Sequence, residues 1–134
     1  MSQLTQLTAA DVMEPNFLIM DGVSTVAEAL VKMKERGAHY LLVDKRDEDD
    51  EYGIVLVSDI AKQVLAQNRS PDRVNIYEIM TKPVLSVQPD MNIRYCARLF
   101  EHFGISTAPV LKAGDVRGVV TYDSLVLKGL TSDD

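Results

Sequence analysis

The chain has 134 residues, 46 % of them apolar and 25 % charged, and a net charge of −6; this describes an ordinary globular domain and not a disordered chain. A single cysteine, Cys96, excludes an internal disulfide and a four-cysteine zinc site. No apolar run approaches the roughly 18 residues of a membrane-spanning helix.

Met1 to Ala10 carries neither a basic residue nor an apolar core, so it does not read as a signal peptide, and a cytoplasmic protein is expected. Thr25 then reads as a helix N-cap, with Glu28 three residues on to complete a capping box. Val26, Ala29, Leu30 and Met33 follow at i, i+3, i+4 and i+7, one apolar stripe. Gly37 ends that helix in a left-handed conformation. Two short apolar strands come next, Tyr40 to Val43 and Gly53 to Val57, joined by an acidic turn and paired as a hairpin. A helix over Asp59 to Gln67 closes the set, and Asn68 to Asn75, with its Arg-Ser-Pro-Asp, reads as a linker.

The second half repeats the first. Val12-Met13 recurs as Ile79-Met80 and Thr25-Val26 as Asn92-Ile93, both at an offset of 67. Ala29, Leu30, Met33 and Gly37 match Cys96, Ala97, Phe100 and Gly104 at the same offset, and Gly53-Ile54-Val55 matches Gly118-Val119-Val120 at 65. The second copy therefore has Asn92 as cap, Ile93, Cys96, Ala97 and Phe100 as stripe, and Gly104 as stop. Strands at Ala108 to Leu111 and Gly118 to Thr121 follow, then a short helix at Ser124 to Lys128 and a frayed tail. The expected organisation is repeat 1 at 10–67, a linker at 68–76, repeat 2 at 77–129, and tails at 1–9 and 130–134. The fold class is α+β, two β-α-β-β-α repeats packed with pseudo-twofold symmetry. A repeat of this size is marginal alone, and two packed together leave symmetric clefts between them that suit a ligand.

Charge narrows the partners. The first 67 residues hold 12 acidic and 6 basic side chains, whereas the remainder holds 8 of each. Neither half carries the basic patch that nucleic acid or an anionic membrane requires, so neither partner is expected.

Val12-Met13-Glu14-Pro15, Thr25-Val26-x-Glu28-Ala29-Leu30, Gly37 to Asp44 and Gly53-Ile54-Val55-x-x-x-Asp59 carry a family pattern. Its second half is Ile79-Met80-Thr81-Lys82-Pro83, Gly104 to Val110 and Gly118-Val119-Val120-Thr121. Together, over about residues 10 to 128, they resemble a tandem pair of CBS domains, the cystathionine β-synthase type of regulatory module. The resemblance implies paired repeats that dimerise, sense adenine nucleotides or adenosine derivatives, and regulate an effector. No effector domain is evident in this sequence, so an unidentified protein in trans is implied, together with a homodimer. A detached piece of a CBS-bearing enzyme is the less favoured expectation, because both ends of the chain look complete.

The family's nucleotide signature is Gly, then Thr or Ser three residues on, then Asp three further. An ionised Asp accepts from both ribose hydroxyls while the Thr hydroxyl reaches ribose or phosphate. The first copy has Gly53 and Asp59 but Leu56 between them; the second has Gly118 and Thr121 but Ser124 at the Asp position, with Asp123 one residue early. Asp59 is read as a ribose contact or the N-cap of the closing helix, Thr121 as a ligand contact or a strand hydroxyl, and Asp123 as a ligand contact or a cap. The base slot that the resemblance implies would be lined by Asn16, Phe17, His39 and Tyr40 in copy one. In copy two it would use Thr107 and Pro109. Phe17 and Tyr40 either stack on a purine or pack in the core. Tyr40 and Thr107 occupy positions that are basic in many relatives, leaving Lys82 and His39 as the nearest phosphate donors. A lightly charged ligand, AMP, adenosine or a related derivative, fits better than a polyphosphate.

Other signals fail. The run Asp47 to Glu51 lacks the Gly and Glu that a calcium loop needs at its sixth and twelfth positions, and reads as a solvated turn. His39 and His102 have no zinc spacing, Cys96 reads as core, and no phosphate-loop, dinucleotide or serine-hydrolase motif occurs. No cofactor is required and no catalysis is expected. The rival reading is a ligand-free dimerisation or protein-interaction module whose two incomplete signatures record lost sites.

Overall fold

The computed structural model describes residues 6–131. The expected tail residues 1–5 and 132–134 lie outside the described residues. The fold is α+β, with helices α1 (Ala9–Val12), α2 (Val26–Arg36), α3 (Val57–Ile60), α4 (Ile93–Phe103) and α5 (Tyr122–Gly129). Strands are β1 (Ile19–Met20), β2 (Tyr40–Val43), β3 (Gly53–Leu56), β4 (Thr107–Lys112) and β5 (Asp115–Thr121). The described residues fall into two compact units, one of residues 18–84 and one of residues 6–17 with 85–131. Each unit therefore combines one repeat with the opening segment of the other.

In the 18–84 unit, β1 pairs parallel with β2, and β2 antiparallel with β3 in the order β1-β2-β3. The capping box at Thr25 forms as read. The Thr25 hydroxyl accepts from the Glu28 N–H at 3.1 Å, and the Glu28 carboxylate accepts from the Thr25 N–H at 2.8 Å. Gly37 closes α2 at φ 62°, where an L side chain would be strained. Val26, Ala29 and Met33 enter a core with Leu41, Val43 and Val55. Leu30, expected on the same stripe, stays 39 % exposed. One further reading needs correction. The closing helix begins at Val57, and past Ile60 it continues as a π-helical turn over Ala61–Leu65. The expected linker also contributes to packing: Val74 is buried in this core, and its carbonyl accepts from the Val26 N–H at 2.8 Å.

In the other unit, β4 pairs antiparallel with β5. Asn92 caps α4 by accepting from the Arg94 N–H at 2.8 Å, and Gly104 ends it at φ 65°. Cys96, Phe100, Val110 and Val120 form the core with Ala9 and Val12 of α1. The expected leading strand of this repeat is reduced to a single parallel bridge between Val87 and Val110. The closing helix runs Tyr122–Gly129, longer than read, because Thr121 caps it and it starts two residues before Ser124.

The two units repeat one another in their tertiary bridges. Glu14 bridges Val119 in one and Thr81 bridges Ile54 in the other, each with two backbone hydrogen bonds of 2.8–3.0 Å. Thr8–Asn92 and Asn75–Thr25 are the second such pair. These bridges bring the opening of each repeat, Met13-Glu14-Pro15 and Met80-Thr81-Lys82-Pro83, onto the last strand of the other.

Candidate functional site

The signature segments occupy the junction of the last strand and the closing helix in each unit. In β3, Leu56 lies opposite Tyr40 of β2 and stands at the N-cap of α3. Leucine has no oxygen to cap with, so the work falls on Asp59. It sits at the third helical position, partly buried, and its carboxylate accepts from the Leu56 N–H at 2.8 Å. Asp59 is thus not the N-cap itself. It supplies the return half of a capping box and keeps its second carboxylate oxygen for another donor. His39 is exposed, and its carbonyl accepts from the Val57 N–H at 3.1 Å, which ties it to the start of the same helix. The structure therefore brings His39, Tyr40 and Asp59 together.

The equivalent junction in the other unit is built differently. Thr121 lies opposite Thr107 and is the N-cap of α5, its hydroxyl accepting from the Ser124 N–H at 3.0 Å. Ser124, at the position of Asp59, is 2 % exposed. Its hydroxyl accepts from the Thr121 N–H at 2.9 Å and donates to the Thr121 carbonyl at 3.1 Å. Thr121 is a strand terminus and a cap at once. Asp123 is exposed in the first turn of α5, where a negative charge suits the helix dipole, but Thr121 does the capping. Pro109 is fully buried, and its carbonyl accepts from the Val87 N–H at 3.0 Å. Thr107 is half-buried. Asn16 is exposed and Phe17 half-buried, both just beyond α1 in this unit.

Lys82 belongs to a cluster that the sequence reading missed. Its ammonium lies 2.5 Å from Asp50, and the same carboxylate takes the Arg46 guanidinium at 3.0 Å through Nε and the Arg46 N–H at 2.9 Å. The Asp50 side chain is 7 % exposed, so the acidic turn is not solvated throughout. Arg46 first and Lys82 second hold the Asp50 carboxyl well below the usual carboxylate range. The signal for this in the sequence was faint. The run of five acids hid the one residue that turns inward.

Beside this cluster the 18–84 unit contains a cavity of about 420 Å³. The ends of β1 and β2 contribute Asp21, Val43, Asp44 and Arg46, while the opening of the second repeat contributes Tyr77, Met80 and Lys82. Among the described residues no group of three or more His, Cys, Asp or Glu side chains could hold a metal ion. None of the described helices is long and apolar enough to cross a membrane.

The CBS domain family matches residues 9–66 and 76–129, so this chain belongs to that family as a tandem pair. A hexameric CBS-CP12 protein from bloom-forming cyanobacteria is 36 % identical, with a TM-score of 0.89 over 92 % of this chain and 71 % of that one. The CBS domain pair of protein MJ0100, solved in complex with 5′-methylthioadenosine and S-adenosyl-L-methionine, is 26 % identical. Its TM-score is 0.78 over 91 % of this chain and 98 % of that one. A homoserine O-acetyltransferase from Methanocorpusculum labreanum is 33 % identical over 92 % of this chain and 24 % of the enzyme. The chain spans 22–52 % of the length of the curated relatives it matches.

Proposed function

We propose that this CBS pair is a non-enzymatic cytoplasmic sensor. It binds an adenosine-containing metabolite between its repeats and signals to a protein partner in trans, as a homodimer or larger assembly. The observation that carries the reading is Asp59: a half-buried carboxylate at the last strand–helix junction, with one oxygen fixed by the Leu56 N–H and the other open to a ribose hydroxyl. The MJ0100 pair in complex with two adenosine derivatives supports the ligand class, and the hexameric cyanobacterial relative supports assembly.

Charge favours a lightly charged ligand. Lys82 is already paired with Asp50, which leaves exposed His39 as the remaining phosphate donor of those the sequence offered. The two junctions also differ in what they can offer. The buried Ser124 hydroxyl is engaged with Thr121 at both ends, so the Asp59 junction is the one equipped for ribose. Binding signals only through a difference in affinity between two arrangements of the assembly. Titration of adenosine, AMP and S-adenosylmethionine into the wild type and into Asp59→Ala tests the reading; unchanged affinity in the variant contradicts it.

The ligand-free interaction module is favoured by one observation, the absence of a hydroxyl at Leu56 and of a carboxylate at Ser124. Under that reading no purine binds, and sedimentation shows a concentration-dependent dimer.

A further inference from the structure

The cavity beside Asp50 contains none of the residues assigned to ribose or base, and its lining has a chemistry of its own. β1 and β2 run parallel with Met20 opposite Val43, and the Asp44 N–H donates to the Met20 carbonyl at 2.9 Å. Asp21 and Asp44 are the residues that follow this last pair on the two strands, and both line the cavity. Asp21 uses one oxygen on the Val23 N–H at 3.0 Å and Asp44 one on the Lys45 N–H at 2.8 Å. Neighbouring like charges disfavour the fold unless a cation lies between them.

The same lining carries positive charge that is held in place, Arg46 from the segment after β2 and Lys82 from the opening of the second repeat. Asp50 grips Arg46 through Nε, a side-on bond that leaves the two terminal Nη groups of the guanidinium for another acceptor. The Arg46 side chain is 82 % exposed while the carboxylate that orients it is buried, so the fork is fixed at its base and open at its tip. Lys82, 24 % exposed, adds a second cation. Val43, Met80 and Tyr77 add apolar and aromatic surface to the lining.

We propose that this cavity binds a small zwitterion, an α-amino acid with an apolar or aromatic side chain. Its ammonium lies between Asp21 and Asp44, its carboxylate on the Arg46 fork, and its side chain against Tyr77 and Met80. A simple anion meets two carboxylates here and a simple cation meets Arg46 and Lys82; only a ligand with both charges satisfies the whole lining. The site is independent of the adenosine reading, since Asp59 and Thr121 take no part in it.

Calorimetry with L-phenylalanine as probe tests the assignment, with 2-phenylethylamine and 3-phenylpropionate as analogues lacking one charge each. The amino acid is expected to bind, and each analogue to bind at least about tenfold more weakly. Asp44→Asn and Arg46→Met, both at exposed positions, are each expected to weaken L-phenylalanine by about tenfold, with the fold retained by circular dichroism. Asp59→Ala is expected to leave it unchanged. No binding of the amino acid, equal binding of either analogue, or affinity indifferent to both cavity variants would overturn the proposal. Loss of L-phenylalanine binding in Asp59→Ala would overturn it too, by returning the ligand to the junction site.

Discussion

The sulfur of Met13 lies 2.7 Å from the point where a β-carbon on Gly118 would stand, and Met80 stands in the same relation to Gly53. The glycine of the nucleotide signature therefore has a packing cause in this chain: the opening methionine of each repeat lies across the last strand of the other. Behind Met13, the carbonyl oxygen of Glu14 is 2.9 Å from the same point, whereas behind Met80 the Thr81 oxygen is 3.3 Å away. A side-chain sulfur can swing aside; a bridged backbone carbonyl cannot. Gly118→Ala should therefore destabilise by about 2–3 kcal/mol and Gly53→Ala by about 1 kcal/mol less, within the range for overpacking. Urea denaturation of the two variants checks the ranking.

The capping role of Asp59 and the ligand contact proposed for it can be separated. Asp59→Ala leaves the Leu56 N–H without its acceptor and should cost about 1 kcal/mol while abolishing adenosine-type binding. Leu56→Thr restores the missing half of the capping box. It should be near neutral in stability, because the gained cap offsets lost apolar burial, and should strengthen ligand binding. Thermal denaturation paired with calorimetry on both variants measures the two effects independently.

The Asp50 cluster gives an acid-range signature. The carboxyl is lowered in the folded chain from its ordinary value of 3.8, with Arg46 the larger cause and Lys82 the next. Its contribution is thus fully present above about pH 4 and is lost as pH falls below that. Asp50→Asn removes that group, so urea midpoints measured from neutral to acid pH should fall less steeply for the variant than for the wild type below pH 4. Parallel curves would contradict the cluster.

Cys96 is fully buried on α4, and burial pushes its thiol up to about 11 from an ordinary 9.0. The unfolded chain ionises first, so stability is retained below about pH 9 and declines between 9 and 11. In the native protein near neutral pH the thiol should resist an aromatic disulfide reagent and react once urea exposes it, as absorbance kinetics would record.

The elements with local causes were legible in the sequence. Thr25 with Glu28, Asn92, Gly37 and Gly104 set the ends of α2 and α4 by short-range hydrogen bonds and backbone conformation, and those causes are written within a few residues. What was not legible depends on partners distant in the chain. Nothing near Val74 announces that it will pack under α2, and nothing in a run of five acids marks Asp50 as the one that meets Lys82. Ser124 looked like a defect in a signature; the structure makes it the buried half of a cap. The cavity was missed for the same reason, since its walls come from strand ends and an opening segment more than thirty residues apart.

Sensing of an adenosine-type ligand through Asp59, as proposed, is put to the test by a thermal-shift panel of adenosine, AMP, ADP, ATP, cyclic dinucleotides and S-adenosylmethionine, with and without magnesium. A ligand at 100 times its Kd stabilises the fold by about 2.7 kcal/mol, so a rise of several degrees is expected for a lightly charged member of the panel and not for Asp59→Ala. A flat panel, repeated by calorimetry, would contradict adenosine sensing and favour the ligand-free interaction module.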